Sequence, residues 1–192
     1  MEKINDISLF MLDDSESDKK ELVIDYFLSW TLRCASEENT NTRFPLVNKY
    51  AKTILEILLG LEYNTLGQIK SVKTWKQCRQ IDLWVEIETS QGNHALLIET
   101  KAYTNVHSDQ LKRYKETFEN HYEDKDFQKH YCLFTITDND KVSNSDIEEC
   151  KKNNFNLLTM DDVYDRFKSR YHGKLQLTGS DLFDEFWLGR WG

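Results

Sequence analysis

Apolar and polar positions alternate along residues 81–88: Ile81, Leu83, Val85 and Ile87 are apolar, and Asp82, Trp84, Glu86 and Glu88 fall between them. A period of two predicts a strand with one face buried and the other carrying acids. A second strand is predicted over 94–101. Its Ala95, Leu96, Leu97 and Ile98 are apolar at successive positions, so it is expected to be buried on both faces, as a central strand is. Gln91-Gly92 reads as a two-residue turn between them, because glycine accepts the positive φ such turns require. That turn sets Ser90 opposite Asn93, Asp82 opposite Lys101 and Trp84 opposite Glu99. Opposed residues lie about 5 Å apart and diagonal ones roughly 7–8 Å, so Asp82, Glu99 and Lys101 share one face. A four-residue turn keeps that parity, whereas a three-residue turn turns Asp82 to the other face.

The same patterns give the other elements. Helices are predicted over 18–35 and 46–59, the second stopping at Gly60 as a C-terminal cap. A strand over 67–78 precedes the hairpin. A helix over 108–122 follows it, with Ser108 as N-cap. The run YCLFTIT over 131–137 reads as a buried strand, 143–153 as a helix and 156–159 as a short strand, and Met160-Asp161-Asp162 opens a further helix. Helices, a three-stranded meander, then alternating helices and strands predict an α/β fold, a mixed sheet with helices on both faces. Residues 1–16 are polar and read as a frayed end. The tail over 172–192 is rich in aromatics, and Phe183, Phe186 and Trp187 form one helical stripe. It reads either as packing on the domain's own core or as a homodimer contact.

Composition narrows the class. The chain has 192 residues, one proline and no linker-like run, so a single domain over 1–192 is expected. No apolar run reaches membrane-spanning length. The first residues lack a basic region, a long apolar stretch and a cleavage site, which predicts a cytoplasmic protein with no membrane partner. Cys34, Cys78, Cys132 and Cys150 form no CxxC pair and the five histidines complete no zinc pattern, so free thiols are expected. There is no Gly-x-Ser-x-Gly elbow and no glycine-rich phosphate loop, which excludes hydrolase triads and nucleotide-driven motors of those types. The net charge of −8 argues against non-specific affinity for nucleic acid. Basic residues do flank the hairpin, with Lys70, Lys73, Lys76 and Arg79 before it and Lys112, Arg113 and Lys115 after it, and they read either as a local basic rim or as solvated surface lysines.

The chemistry lies in the hairpin. Glu99 and Lys101 end a strand expected to be buried, where charge is expensive unless paired or bound to metal. Two carboxylates, Asp82 and Glu99, suit Mg2+, a hard ion that takes oxygen ligands and keeps several waters. The backbone carbonyl of Thr100 is a further candidate ligand. Lys101 is placed to orient an attacking water or to stabilise charge on a phosphate. The plainer alternative is an exposed Asp–Lys cross-strand pair with Glu99 as a surface acid.

Asp82 together with Glu99-Thr100-Lys101 resembles the PD-(D/E)xK motif of the nuclease superfamily of that name, with Ile81 in place of the proline. Gln110-Leu111-Lys112-Arg113-Tyr114 resembles the QxxxY motif of its exonuclease-like branch, and at i and i+4 of a helix Gln110 and Tyr114 project from one face. The run from Glu21 to Trp30 resembles the first helix of one branch, in which an acid precedes a Phe-Leu-x-Trp sequence. Arg79 matches a frequent basic position of that branch.

The resemblance implies a restriction-endonuclease-like core and a Mg2+- or Mn2+-dependent phosphodiesterase acting on nucleic acid, DNA above all, in DNA processing or defence against foreign DNA. It implies that Asp82 and Glu99 hold the metal, with Lys101 positioning or activating the water. It further implies that Gln110 and Tyr114 organise the site, and that Glu21, with Asp25 second, adds a carboxylate. Arg79, Lys76, Lys112 and Arg113 are the candidate nucleic-acid contacts. The alternative function is an idle nuclease-fold domain that binds a protein or a nucleic acid.

Overall fold

The computed structural model describes residues 20–38, 44–102, 105–107 and 109–188. The alternating segment forms a strand, and its neighbours build one five-stranded sheet in chain order: β1 (Ile69–Cys78), β2 (Ile81–Thr89), β3 (Gly92–Lys101), β4 (Gln128–Thr135) and β5 (Asn156–Thr159). The first three pair antiparallel and the last three parallel. β3 is therefore central, and it is buried from His94 to Lys101, as its unbroken apolar run predicts.

Helices cover both faces. Alternation sends Leu83, Val85, Ile87, Leu96, Ile98 and Phe134 to one face. There they meet α1 (Lys20–Cys34), α2 (Pro45–Leu58), α5 (Met160–Arg170) and α6 (Asp181–Trp187) in the larger core. The opposite face carries Trp84, Ala95, Leu97 and Leu133 against Leu111, Phe118 and Tyr122 of α3 (Gln110–His121) and Cys150 of α4 (Asn144–Asn153). The face of β2 expected simply to carry acids is thus half covered: Trp84 is buried beneath α3.

Local chemistry sets the ends. α2 closes with Gly60 at φ 72°, the Gly60 amide donating to the Ile57 carbonyl and Leu61 to that of Glu56, the paired bonds that end a helix on a left-handed glycine. Ser143 caps α4, and Thr159 with Asp162 forms a capping box on α5. For α3 the expected cap, Ser108, lies outside the described residues, as does segment 1–16, for which fraying was expected.

One expectation is corrected, and one of two alternatives is selected. First, the β2–β3 turn is Ser90-Gln91, one residue earlier than predicted, with Thr89 paired to Gly92. The Thr89 hydroxyl donates to the Gly92 carbonyl and accepts from the Gln91 amide, while the Ser90 amide donates to Gln68 on the neighbouring chain segment. The positive φ, 135°, falls on Gly92 just after the turn. Because the turn is still two residues, parity survives and Asp82 keeps its face. The register changes, however, so that Trp84 faces Leu97 rather than Glu99. Continued by two residues, it sets Asp82 opposite Glu99 rather than Lys101.

Second, the aromatic stripe of the tail is consumed within the chain. Phe183, Phe186 and Trp187 are buried, Phe186 stacks on Phe27 at 4.3 Å, and the Trp187 indole donates to Thr31 Oγ1 at 2.9 Å. This stripe is not the exposed patch that a homodimer contact needs; Trp191 lies outside the described residues.

Candidate active site

The start of β2 lies beside the end of β3 beneath the first turn of α3, and the charged residues collect there. Asp82 is the first polar residue of β2 on the α3 face. Its Oδ2 accepts from the Thr100 amide at 2.9 Å, and its Oδ1 from Gln77 Nε2 at 2.9 Å. Glu99 follows Leu97 on the same face and is 1% exposed. Its Oε1 accepts from Lys101 Nζ and from Gln110 Nε2, both at 2.6 Å. Its Oε2 is buried with no donor to accept from, and the neighbouring Asp82 carboxyl can share a hydrogen bond with Glu99 only through a proton. Gln110 also donates to the Tyr114 hydroxyl at 3.2 Å, and its Oε1 accepts from the His107 amide at 3.3 Å. The i, i+4 pair on α3 therefore stands over Glu99 and fixes one of its two oxygens.

α1 reaches the site from the other face. Thr100 points away from α3, and its hydroxyl lies 2.7 Å from Asp25 Oδ1 and 3.3 Å from Asp82 Oδ2, with one proton for the two acids. Glu21 accepts from the Ala102 amide at 3.0 Å, at the end of β3. Asp25, one turn further along α1 than Glu21, is 1% exposed.

Three carboxyls, Glu99, Glu21 and Asp82, thus act on one ammonium, Lys101, and a fourth, Asp25, lies beside Asp82. The electrostatics follow. Burial pushes Glu99 up to about 8, the Asp82 charge adds to this, and Lys101 pulls the other way. Burial likewise pushes Asp25 up to about 7, with Asp82 and Glu21 adding to it against the Thr100 and Gln77 hydrogen bonds. For Lys101 burial disfavours the charge, but Glu99, Glu21 and Asp82 outweigh it and hold the pKa above that of an ordinary lysine. The site is short of positive charge.

A divalent cation fits that deficit. Glu99 Oε2 is a buried acceptor with nothing to accept, and it belongs to the residue opposite Asp82. Only a proton or a cation relieves two carboxyls so placed. Among the described residues no group of three or more His, Cys, Asp or Glu forms a ready metal cage. The donor set is two carboxylates with oxygen neighbours, which suits an ion that keeps waters and takes substrate oxygens as ligands.

The other predicted residues are placed as follows. Arg79 lies in the β1–β2 turn, exposed, with its guanidinium 5.9 Å from the Trp84 ring centre. Lys76 pairs with Leu83 and so belongs to the α1 face, its ammonium 3.7 Å over the Tyr26 ring; it is not brought to the acids. Lys112 and Arg113 are exposed on α3.

Two features escape the sequence reading. Gln77, which ties Asp82 to Asp25, becomes visible only when the β1–β2 register is known. A pocket of about 220 Å3 opens beside Lys101 on the α3–α4 face, with Thr135, Thr137, Lys141 and Ser143 in its wall. These come from β4 and the segment after it, which carry no motif.

Comparison with known proteins follows the same direction. A family model described as the PD-(D/E)XK nuclease superfamily matches residues 6–176. No curated protein and no solved structure shows significant similarity to the chain.

Proposed function

The chain belongs to the PD-(D/E)XK nuclease superfamily, and on that premise we propose that it is a Mg2+-dependent nuclease, Mn2+ serving equally, that hydrolyses phosphodiester bonds in DNA. The observation that carries the proposal is the partnerless buried oxygen of Glu99 beside Asp82. Asp82, Glu99 and the Thr100 carbonyl would hold the ion, with Glu21 at the rim. A bound Mg2+ supplies positive charge to the scissile phosphate and acidifies a water.

The chain's own residues do the rest. Lys101, held by Glu99 Oε1 at 2.6 Å, presents a charged ammonium to the attacking water and to the charge that develops on phosphate. Gln110 and Tyr114 fix the Glu99 rotamer so that Oε2 stays directed away from Lys101. Thr100 and Gln77 orient Asp82. The pocket beside Lys101, with its hydroxyls and Lys141, is sized for the sugar-phosphate next to the bond that is cut. The four cysteines carry no disulfide, which supports a reducing, cytoplasmic setting.

The test is cleavage of circular and linear DNA with Mg2+ or Mn2+ by wild type, Asp82→Ala and Lys101→Ala, with an RNA of the same sequence as comparison. Expected is metal-dependent cutting that falls by 10^3 or more, about 4 kcal/mol, in both variants. A folded wild type that neither cuts nor binds Mg2+ would leave the idle binding module as the better description.

A further inference from the structure

A second pocket, about 190 Å3, lies on the same face as Asp82, toward the outer edge of the sheet. We propose that it takes an unpaired nucleobase of the strand being cut, which makes single-stranded or frayed nucleic acid the substrate class. The proposal rests on the nuclease reading for its position beside the scissile bond, but not for the pocket's affinity.

The register places the pocket. Trp75 is paired with Trp84 across β1 and β2, so both side chains leave the sheet on the α3 face. Trp84 is two residues from Asp82, about 7 Å along the strand. Trp84, Trp75, Arg79, Glu86 and His121 line the space. Its floor is rigid: the Trp84 indole donates to the Tyr122 hydroxyl at 2.6 Å, and that hydroxyl donates to Glu86 Oε1 at 2.8 Å. The His121 ring meets Trp84 edge-on at 5.0 Å. The outer wall, Trp75, is 41% exposed. A large aromatic open to solvent beside a fixed indole, with a guanidinium at the lip, is what a flat, polar-edged π system stacks into. Glu86 adds an acceptor for the amino edge of a base. The arrangement is also electrostatically apt: Arg79 is the cation nearest the pocket and is free to meet the phosphate that joins the base to the next nucleotide.

The turn that carries Arg79 is the independent observation. Cys78 pairs with Ile81, so Arg79-Gln80 is a two-residue turn with φ of 54° and 70°. Asn-Gly makes that turn with little strain, whereas Arg and Gln each sit in the left-handed region that a Cβ disfavours. An arginine kept where the backbone penalises it points to work done by its side chain.

The experiment is anisotropy of a short labelled DNA strand binding to the full chain in EDTA at low ionic strength, where no metal-dependent cleavage occurs. The same strand with abasic positions is the control. Wild type is expected to bind the base-bearing strand about tenfold more tightly than the abasic one. Trp75→Ala, at an exposed position, is expected to erase that difference without changing abasic binding. Arg79→Asn with Gln80→Gly is expected to melt at higher temperature yet bind the strand more weakly. Equal binding of base-bearing and abasic strands by wild type, unchanged affinity in Trp75→Ala, or no measurable wild-type binding would each overturn the proposal. Base-dependent binding with no cleavage when Mg2+ is added would uphold the pocket and overturn the nuclease reading alone.

Discussion

Glu56 and Glu99 are both 1% exposed, and each faces a cation, Arg170 and Lys101 respectively. Around Glu56 both oxygens are used: Oε2 accepts from the Asn64 amide at 3.0 Å and lies 3.4 Å from Arg170, and Oε1 accepts from the Leu66 amide. Arg170 in turn donates to the Thr53 and Leu61 carbonyls. This pair pins the loop after α2 to α5. Around Glu99 both donors crowd one oxygen, the other has none, and the Asp82 carboxyl stands nearby. On the proposed function, the difference separates a buried charge that serves folding from one that serves a ligand. The first is complete within the chain, and the second is complete only when something else arrives.

The comparison can be broken at several points. Arg170→Met leaves Glu56 charged, buried and short of its main partner, and is expected to destabilise the fold by about 3–5 kcal/mol. DNA cleavage per folded molecule should be unchanged; denaturant melts paired with active-site titration check both. A smaller loss would mean that the Glu56 network is ornamental.

A second buried polar pair, complete without a ligand, supplies a pH test. His94 and His130 share a hydrogen bond of 3.0 Å, and His130 Nδ1 lies 3.0 Å from the Leu59 carbonyl. Burial, with the neighbouring His94, holds His130 down at about 4. The unfolded chain therefore takes up a proton near pH 6.5 that the folded chain refuses until about 4. Stability from this group is full above pH 6.5 and is lost progressively as the pH falls to about 4, by at most about 3 kcal/mol. The slope of stability against pH in that window should flatten in His94→Phe/His130→Phe relative to wild type.

Gln110→Ala removes a donor from Glu99 without touching the acids. Cleavage is expected to fall about tenfold, roughly 1.4 kcal/mol, with Tyr114→Phe falling less. Equal losses in the two variants would contradict the order of contacts from α3 to Glu99.

The smallest effect has the most telling sign. Above about pH 8, where the metal-free Glu99 carboxyl is ionised, Glu99→Gln relieves one negative charge and lets an amide donate toward Asp82. It should raise metal-free stability by about 1 kcal/mol, a melting shift of roughly 2–4 °C, while cleavage is lost. Glu56→Gln should do the reverse.

Much of this was legible in the chain. The alternation at Ile81, Leu83, Val85 and Ile87 gave the faces, and the unbroken Ala95–Ile98 run gave the central strand. The acids and Lys101 were expected on one face because parity depends only on an even-numbered turn. The pairing of Asp82 with Glu99 was not legible. The turn position is set by the Thr89 hydroxyl and by the Ser90 bond to Gln68, and a glycine says only that a turn is near. Asp25 was the second candidate acid of the first helix, but its link to Asp82 runs through the Thr100 hydroxyl, a contact between helix and sheet that no local pattern encodes. Gln77 and the pocket at Arg79 depend on left-handed residues at 77, 79 and 80, none of them a glycine or asparagine that would have announced the turn. Trp187 read as part of an apolar stripe, yet a stripe is the same whether it buries against its own chain or another.

The deciding measurement is a calorimetric titration of Mg2+ into the metal-free protein, wild type beside Glu99→Gln. Saturable binding by wild type, lost in a Glu99→Gln variant that remains folded, is the predicted result. Equal binding by both, or none by a folded wild type, would contradict the assignment of the partnerless Glu99 oxygen to a metal ion.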